Sequence, residues 1–215
     1  MARGDADIGI VPVIEVARQN LRVLRGTGIA CHGAVRSILL ISKVPFGKIR
    51  TLAADSGSRT SVVLARVILS MRYSADPSIV EQAPSLPEML DNADAALIIG
   101  DPALWLDPAD LPFHVLDLGE EWLRLTGLPM VFAVWAARPD FQVAAFTEAA
   151  FCESYRFGAR RLDEIVASEH QRHGVSAALA HEYLSRYIVF ELGEQEHAGM
   201  RQFLKYAVEV ERAPV

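Results

Sequence analysis

Short apolar runs bounded by polar turns recur along the chain, and they constrain its fold more than any other feature. Three of them are AVRSILLIS (34–42), IRTLAAD (49–55) and DAALIIGD (94–101). Continuous apolar runs of this length, rich in aliphatic and β-branched residues, are typical of strands that are buried on both faces. A helical segment at 61–71 follows the second run directly. Strands that alternate with helices in this way predict an α/β protein.

The composition narrows the class of protein. The chain has 215 residues, a formal net charge of −6 and two cysteines. The negative charge and the lack of a basic cluster argue against nucleic acid as a partner. Two distant cysteines are too few for a disulfide framework or a thiolate metal cage. Because acidic residues interrupt the first 20 positions and no apolar run approaches about 20 residues, we expect a cytoplasmic protein without a membrane partner.

The second half of the chain changes character. LPMVFAVWAAR (128–138) predicts a last strand, and from Pro139 onward the pattern predicts helices. A long helical stretch ends at Gly174. Another helix begins with Ser176 as its cap and continues to about Leu192, and a third follows to the end of the chain.

The stretch DSGSRTS (55–61) is the most informative polar segment, because it lies between a predicted strand and the helix 61–71. Its hydroxyls, and the backbone amides of Ser58, Thr60 and Ser61, lie where the helix dipole is positive, which suits an anion. A Ser-rich turn with an ordinary helix cap remains the alternative. Arg59 could pair with a carboxylate, or it could be a structural or solvent-exposed arginine.

Five segments together resemble a known family. They are ADIGIVPVIEVAR, GAVRSILLISKVPF, LAADSGSRTSVVLARVIL, DAALIIGDPAL and DLGEEWLRLTGLPMVFAVWAAR. In this order they resemble the chorismate dehydratases of the futalosine route to menaquinone, and the resemblance covers nearly the whole chain. It implies a two-lobed type 2 periplasmic-binding-protein-like fold with the substrate between the lobes.

The resemblance also implies a division of the chain. Residues 1–45 and 131–215 would form lobe 1, and residues 46–130 would form lobe 2, with crossings near Val44–Phe46 and Phe132–Trp135. Family members carry a further strand and a loop with a Tyr-Leu-Asn-Thr-like motif before the position of Met1. We therefore expect the first lobe to be truncated at the N-terminus, without a loop that contributes polar groups to the family's cleft.

The implied reaction converts chorismate to 3-[(1-carboxyvinyl)oxy]benzoate and water. A dianionic substrate needs two sets of hydrogen-bond donors. The resemblance and the helix start at 58–61 suggest one set there, while the second would lie on the N-terminal loop or on the turn from His32 to Ser37. Gly100 ends a strand at the same predicted edge, where open α/β sheets bind ligands.

Asp101 follows Gly100 and is the candidate catalytic residue, acting on the leaving hydroxyl. It could instead cap the next turn and fix the loop. Since no carboxylate pair suggests an acid and a base, we expect the substrate's side-chain carboxylate to take the ring proton while the protein positions and desolvates it.

Alternatives and accessory groups complete the sequence prediction. A related enzyme of the pathway, 1,4-dihydroxy-6-naphthoate synthase, ranks lower because it is expected to use Thr-rich ligand loops and a histidine base. A non-catalytic anion-binding module of the same shape is the third option. We expect neither a metal nor a cofactor, and the sequence leaves open whether the chain forms a homodimer. The aromatic residues from Tyr183 to Tyr206 occur at helical spacings that are typical of a core.

Overall fold

The computed structural model describes residues 6–55, 57 and 59–212. Its strands form two β-sheets, one of four strands and one of five. In spatial order, the first sheet contains β1 (Ile8–Pro12), β8 (Met130–Ala137), β2 (Arg22–Cys31) and β9 (Val189–Leu192). The second sheet contains β5 (Ser78–Glu81), β4 (Thr51–Ala54), β6 (Ala95–Ile99), β3 (Ile38–Ser42) and β7 (His114–Asp117). The strand pairs of the first sheet are antiparallel, whereas the second sheet is mixed.

Helices follow most of the strands and cover the sheets. In chain order they are α1 (Val13–Arg18), α2 (Arg59–Tyr73), α3 (Leu86–Asn92), α4 (Asp101–Leu104), α5 (Leu118–Thr126), α6 (Thr147–Ala159), α7 (Leu162–Glu169), α8 (Ala177–Glu182) and α9 (Glu194–Arg212). Single 3-10 turns occur at Phe46–Lys48 and Pro108–Asp110, and a π-helical turn occurs at Tyr183–Tyr187. No helix within the described ranges has both the length and the apolar character that a membrane span requires.

The strand β3 shows why its sequence is continuously apolar. It pairs with β6 on one side and with β7 on the other, so it lies inside the second sheet. Ile38 and Leu40 face a core that extends to the first sheet, while Leu39 and Ile41 face a smaller core under α3 and α4. Every residue of the strand is buried, as expected for a strand that is covered on both faces.

A single apolar cluster connects the two sheets. Val134 of β8 in the first sheet, Leu52 of β4 in the second and Phe203 of α9 all belong to it, and each is inaccessible to solvent. The Trp122 ring of α5 packs edge-on against Phe203, with 6.0 Å between ring centroids. The two halves therefore share buried surface, and this surface holds the segments between them in place.

The sheet pairing differs from the predicted lobe division at the first crossing. The sequence analysis assigned residues 1–45 to lobe 1, yet β3 pairs within the second sheet. By sheet membership, the chain first crosses between Cys31 and Ile38 and not near Val44–Phe46. It returns to the first sheet by Met130, where β8 begins, beside the predicted boundary between residues 130 and 131. The apolar character of AVRSILLIS predicted a strand correctly but carried no information about which sheet the strand joins.

The C-terminal half is mostly helical, as predicted, with one exception. The Ser176 hydroxyl accepts a hydrogen bond from the Leu179 amide at 3.1 Å and caps α8, as the sequence indicated. The predicted helix through Leu192 instead ends near Tyr187, and Val189–Leu192 forms the edge strand β9 beside β2. Since VFEL contains a β-branched and an aromatic residue, which favour strands, its pairing with β2 outweighs continuation of the helix.

Candidate functional site

A cavity of about 200 Å³ lies between the two sheets. The first sheet contributes β1 residues Ile10–Pro12, Ile29 and residues 132–133 of β8. The second half contributes Gly57, the first turn of α2 and Ile99, which is the last residue of β6. The cavity therefore lies at the carboxyl end of β6 and at the amino end of α2, where open α/β folds place ligands.

The first turn of α2 places the predicted anion-binding residues at this cavity. Arg59, Thr60 and Ser61 all line it, and the first amides of a helix have no partner within the helix. Ser58 lies outside the described residues. Ser61 lines the cavity, and no hydrogen bond joins its hydroxyl to another described residue.

Thr60 is committed to the protein itself. Its hydroxyl accepts a hydrogen bond from the Ile14 amide at 3.5 Å and donates one to the Phe132 carbonyl at 3.3 Å. Only 5% of the residue is exposed. The hydroxyl thus ties α2 to α1 and β8 and holds the start of α2 against the first sheet.

Arg59 is also engaged. Its guanidinium nitrogen Nη1 lies 3.2 Å from Oε1 of Glu15, a residue on α1 that is 6% exposed. Arg18 contacts the same carboxylate oxygen at 3.3 Å. Burial raises the pKa of the Glu15 carboxyl, but hydrogen bonds from Gln19 and Arg18 and the charge of Arg59 outweigh burial and leave that pKa below its usual range. The structural role considered for Arg59 is thus the one that these contacts support.

The residues Gly100 and Asp101 form a second polar corner next to the cavity wall at Ile99. Gly100 has φ 68° and ψ −145°, a conformation that is essentially restricted to glycine. A Cβ atom built at this position meets no atom within 4 Å. The backbone is therefore open on this side, and a ligand can approach it closely.

Asp101 contacts a histidine that the sequence analysis did not connect with it. Its Oδ2 atom lies 2.7 Å from Nδ1 of His173, which belongs to the turn after α7. The Trp105 indole N–H donates to the His173 carbonyl at 2.9 Å. Asp101 and Trp105, at the two ends of the short helix α4, thus both bind the turn that contains His173. Among the described contacts, the Asp101 carboxylate bonds to His173 and does not cap α4.

Ser37 lies on the other side of Gly100. Its carbonyl accepts a hydrogen bond from the Gly100 amide at 2.8 Å. Its hydroxyl lies 2.9 Å from the hydroxyl of Tyr183, the first residue of the π-helical turn. Tyr183 was predicted as a core residue, and its ring does pack against the larger core, but its polar end reaches this corner.

His32 has a different environment from the one predicted. Its Nε2 atom contacts Oε1 of Glu196 near the start of α9, and the other oxygen of that carboxylate accepts the Gly193 amide at 2.7 Å. Burial raises the pKa of Glu196, but hydrogen bonds from its own backbone and from His32 outweigh this and lower the pKa. His32 therefore contacts the N-terminal turn of α9 and is not among the residues that line the cavity.

Asp117, which the sequence analysis missed, supports the segment that carries Ser37. Its carboxylate accepts the amides of Val35 at 2.9 Å and Arg36 at 2.6 Å. It also accepts those of Gly119 and Glu120 at 2.9 and 3.1 Å, which caps α5. An aspartate three residues before a glutamate at the start of a helix is a capping signature, so the cap was predictable, while the contacts to residues 35–36 were not.

Larger cavities lie elsewhere. One of about 980 Å³ is lined by residues 47–50, which precede β4, by residues 74–79, which lead into the start of β5, and by Arg66 of α2. It lies at the amino ends of these parallel strands, opposite the edge where α/β folds bind ligands. Another, of about 760 Å³, lies between the first sheet and the α6, α7 and Tyr183–Tyr187 segments. It shares Ile10 and Ile29 with the cavity between the sheets.

The described residues include no group of three or more side chains that could bind a metal ion. The polar groups around the cavity are hydroxyls, backbone amides, Arg59 and, at the second corner, Asp101. The hydroxyls, the amides and Arg59 are donors that suit a small anion, and Ile10, Ile29 and Phe132 supply apolar walls for its body. The Asp101 carboxylate instead accepts hydrogen bonds.

The fold defines the class of protein as periplasmic-binding-protein-like. Protein AF1704 of Archaeoglobus fulgidus has a similar structure, with a TM-score of 0.72 and 18% identity over 97% of this chain and 80% of that one. The periplasmic aliphatic sulphonate binding protein SsuA of Escherichia coli has a TM-score of 0.58 and 16% identity over 99% and 78% of the two chains. At such identities the similarity concerns the fold alone.

The family follows from the sequence. The family model described as menaquinone biosynthesis matches residues 1–209. The chain is 30% identical over 201 residues to the chorismate dehydratase of Thermus thermophilus. The match covers 86% of this chain and 73% of that protein. This chain belongs to the menaquinone biosynthesis family. The resemblance inferred from the five sequence segments is thereby confirmed, as is the predicted fold class.

Proposed function

We propose that this protein is a chorismate dehydratase, a carbon–oxygen lyase that forms 3-[(1-carboxyvinyl)oxy]benzoate and water from chorismate. One observation carries the proposal: the amino end of α2 opens into an apolar cavity between the two sheets. A helix start suits a carboxylate, and apolar walls suit a ring. Membership of the menaquinone biosynthesis family and the named Thermus relative support the same activity.

In the proposed site, one substrate carboxylate binds the first amides of α2 and the Ser61 hydroxyl. The ring lies against the apolar wall, with its leaving hydroxyl toward Gly100 and Asp101. The substrate's other carboxylate takes the ring proton, and the C–H electrons form the new ring double bond. The C–O bond breaks with its electron pair on the departing hydroxide, which takes that proton from the carboxyl group and becomes water. The protein mainly positions and desolvates the reacting groups.

Asp101 is the proposed catalytic residue, because its carboxylate adjoins the open backbone of Gly100 and is held by His173 at 2.7 Å. It would hold the leaving hydroxyl through a hydrogen bond. The reaction occurs without a cofactor in this proposal.

The decisive experiment incubates the purified protein with chorismate and follows the aromatic product by absorbance and mass spectrometry. We expect product in the wild type and a decrease in kcat on the order of a hundredfold in Asp101→Asn. Asp91→Asn, a change at an exposed position of α3, is the matched control and should retain the wild-type rate.

Substrate analogues separate the steps. A chorismate derivative that is esterified at the side-chain carboxylate should still bind but should not react, since it lacks the proposed base. Rapid turnover of this ester would refute the role given to the substrate carboxylate. Tight binding of chorismate without any product from the wild type would instead indicate a non-catalytic binding protein.

A further inference from the structure

Counting the protons of Ser37 and Tyr183 reveals a donor without a partner. Each hydroxyl carries one proton, and their oxygens lie 2.9 Å apart, so their mutual hydrogen bond uses one of the two protons. Within the described residues neither oxygen makes another hydrogen bond. One O–H donor of the pair therefore remains available. Ser37 is only 4% exposed, and a buried donor without an acceptor is costly unless a ligand satisfies it.

The pair adjoins the candidate site through the backbone of residues 99–100, while its two side chains lie behind the residues that line the cavity. The Ser37 carbonyl accepts the Gly100 amide, and Gly100 follows Ile99, which lines the cavity between the sheets. Open space lies beside Gly100 where a Cβ atom would be. The residues after Tyr183 line the larger neighbouring cavity, which shares two walls with the first.

The surroundings of Tyr183 keep its hydroxyl protonated. Burial raises the pKa of the phenol, the hydrogen bond with Ser37 opposes part of this shift, and the Asp101 charge adds to it. A phenol in this environment acts as a neutral donor at physiological pH. Tyr183 also begins a π-helical turn, and such turns frequently occur at functional sites because they redirect side chains.

We infer that Tyr183 is a substrate-binding residue whose hydroxyl, supported by Ser37, donates a hydrogen bond to the second carboxylate of a dianionic substrate. The inference rests on the proposed function, since it is the dianion that needs two donor sets. The first set lies at the start of α2, which lines the same cavity as Ile99. The second carboxylate would thus accept a hydrogen bond from Tyr183, which lies 146 residues after Ser37 in the sequence.

The test compares two ligands by isothermal titration calorimetry. The first is the reaction product, a dianion with the two carboxylates of the substrate. The second is benzoate, which has one carboxylate and needs only the α2 donors. Tyr183→Phe removes one oxygen and retains the ring packing, so we expect it to weaken product binding roughly ten- to a hundredfold, as for a hydrogen bond to a charged group. Benzoate binding should change less than about threefold.

Two further variants sharpen the test. Tyr187→Phe makes the same chemical change four residues away, where the ring packs with Arg186, and it should leave product binding unchanged. In Ser37→Ala the Tyr183 hydroxyl can donate directly to the ligand, so the loss should be smaller than in Tyr183→Phe. This variant also keeps the inference testable if Tyr183→Phe folds poorly, because a loss greater than about tenfold would identify Ser37 as the donor and overturn the role of Tyr183.

The outcomes distinguish the two proposals. A wild-type protein that binds neither chorismate nor the product would overturn the proposed function, and the inference with it. A wild-type protein that binds the product while Tyr183→Phe binds it equally well would overturn the inference alone. The same would follow from equal losses in Tyr183→Phe and Tyr187→Phe, or from equal losses of product and benzoate binding.

Discussion

The two polar corners of the candidate site differ in how far the protein satisfies its own side chains. At the start of α2, the Thr60 hydroxyl is bonded to Ile14 and Phe132, and Arg59 is paired with Glu15. At the Gly100 corner, the backbone is open and the Ser37–Tyr183 pair retains one free donor. The hydroxyl-rich segment thus uses Thr60 and Arg59 for contacts within the protein.

This difference shows that a cluster of hydroxyls in a sequence does not reveal how many of them can bind a ligand, because some form hydrogen bonds within the folded protein. Thr60 and Arg59 lie on the cavity wall, but they stabilise the contact between α2 and the first sheet. The anion-binding capacity of α2 then depends on its backbone amides and Ser61. The predictions below test this separation of stabilising and ligand-binding groups.

The largest effect on stability is expected at Asp117, which holds the backbone that precedes Ser37 at the Gly100 corner. Asp117→Ala removes the acceptor of four backbone amides, including those of Val35 and Arg36 next to Ser37. We expect the free energy of unfolding to fall by about 3 kcal/mol, because the helix cap is lost and buried amides remain unsatisfied. Urea unfolding followed by circular dichroism measures this change.

The control for this prediction is Asp110→Ala, which changes an exposed aspartate in the preceding 3-10 turn. Its effect should stay within about 0.5 kcal/mol. Similar unfolding curves for the two variants would show that the Asp117 contacts do not hold the segment before Ser37, and the view of this corner as a rigid support would be wrong.

A smaller effect is expected from two neighbouring substitutions in α2 that should act on different properties. Thr60→Val retains the shape but leaves two backbone groups unpaired, so the protein should lose about 1–2 kcal/mol of stability. Ser61→Ala should change stability by less than about 0.5 kcal/mol and instead weaken binding of the product dianion. Thermal unfolding and calorimetric titration of both variants give the two quantities.

Ser70→Ala, at an exposed position of the same helix, should alter neither stability nor binding. If Ser61→Ala destabilised the protein as much as Thr60→Val without affecting the ligand, the two residues would share a structural role. The division within the first turn of α2 would then have to be abandoned.

The smallest effect concerns the pH dependence of Glu15, whose pKa in the folded protein lies below the ordinary value of 4.5. A lowered carboxyl pKa contributes stability above the ordinary value, and this contribution disappears as the pH falls through the folded value. Glu15→Gln should therefore be less stable than the wild type at pH 7, by about 1 kcal/mol. The difference should narrow below about pH 4.

Unfolding free energies between pH 3 and pH 7 test this, with the exposed residue Glu209→Gln as the control. A difference between the wild type and Glu15→Gln that did not vary with pH would mean that Arg59 is not held by the Glu15 charge. Arg59 would then be free to bind the substrate, and the start of α2 would resemble the open corner more closely.

Much of the fold could be predicted from local patterns. The strands β4, β6 and β8 and the helix α2 correspond to apolar runs and caps that are visible in the sequence, because burial on both faces demands continuous apolar residues. The edge strand β9 was missed, since VFEL is short and its strand conformation depends on pairing with β2. The sheet to which β3 belongs also depends on long-range pairing.

The candidate site likewise contains local features that could be predicted and long-range contacts that could not. The helix start at 59–61 and the Gly100–Asp101 turn were predicted, as both are local strand–turn–helix signals. The partners that decide their roles were not: Glu15 for Arg59, His173 for Asp101 and Tyr183 for Ser37. These partners lie 44, 72 and 146 residues away along the chain, and no local pattern encodes such distances.

The sequence by itself determined the α/β class, the family resemblance and the position of a helix start suited to an anion, because short-range periodicity and capping chemistry express these features directly. Only the tertiary structure decided which polar groups remain unpaired, since that depends on which distant atoms come within hydrogen-bond distance after both sheets have packed on their shared core.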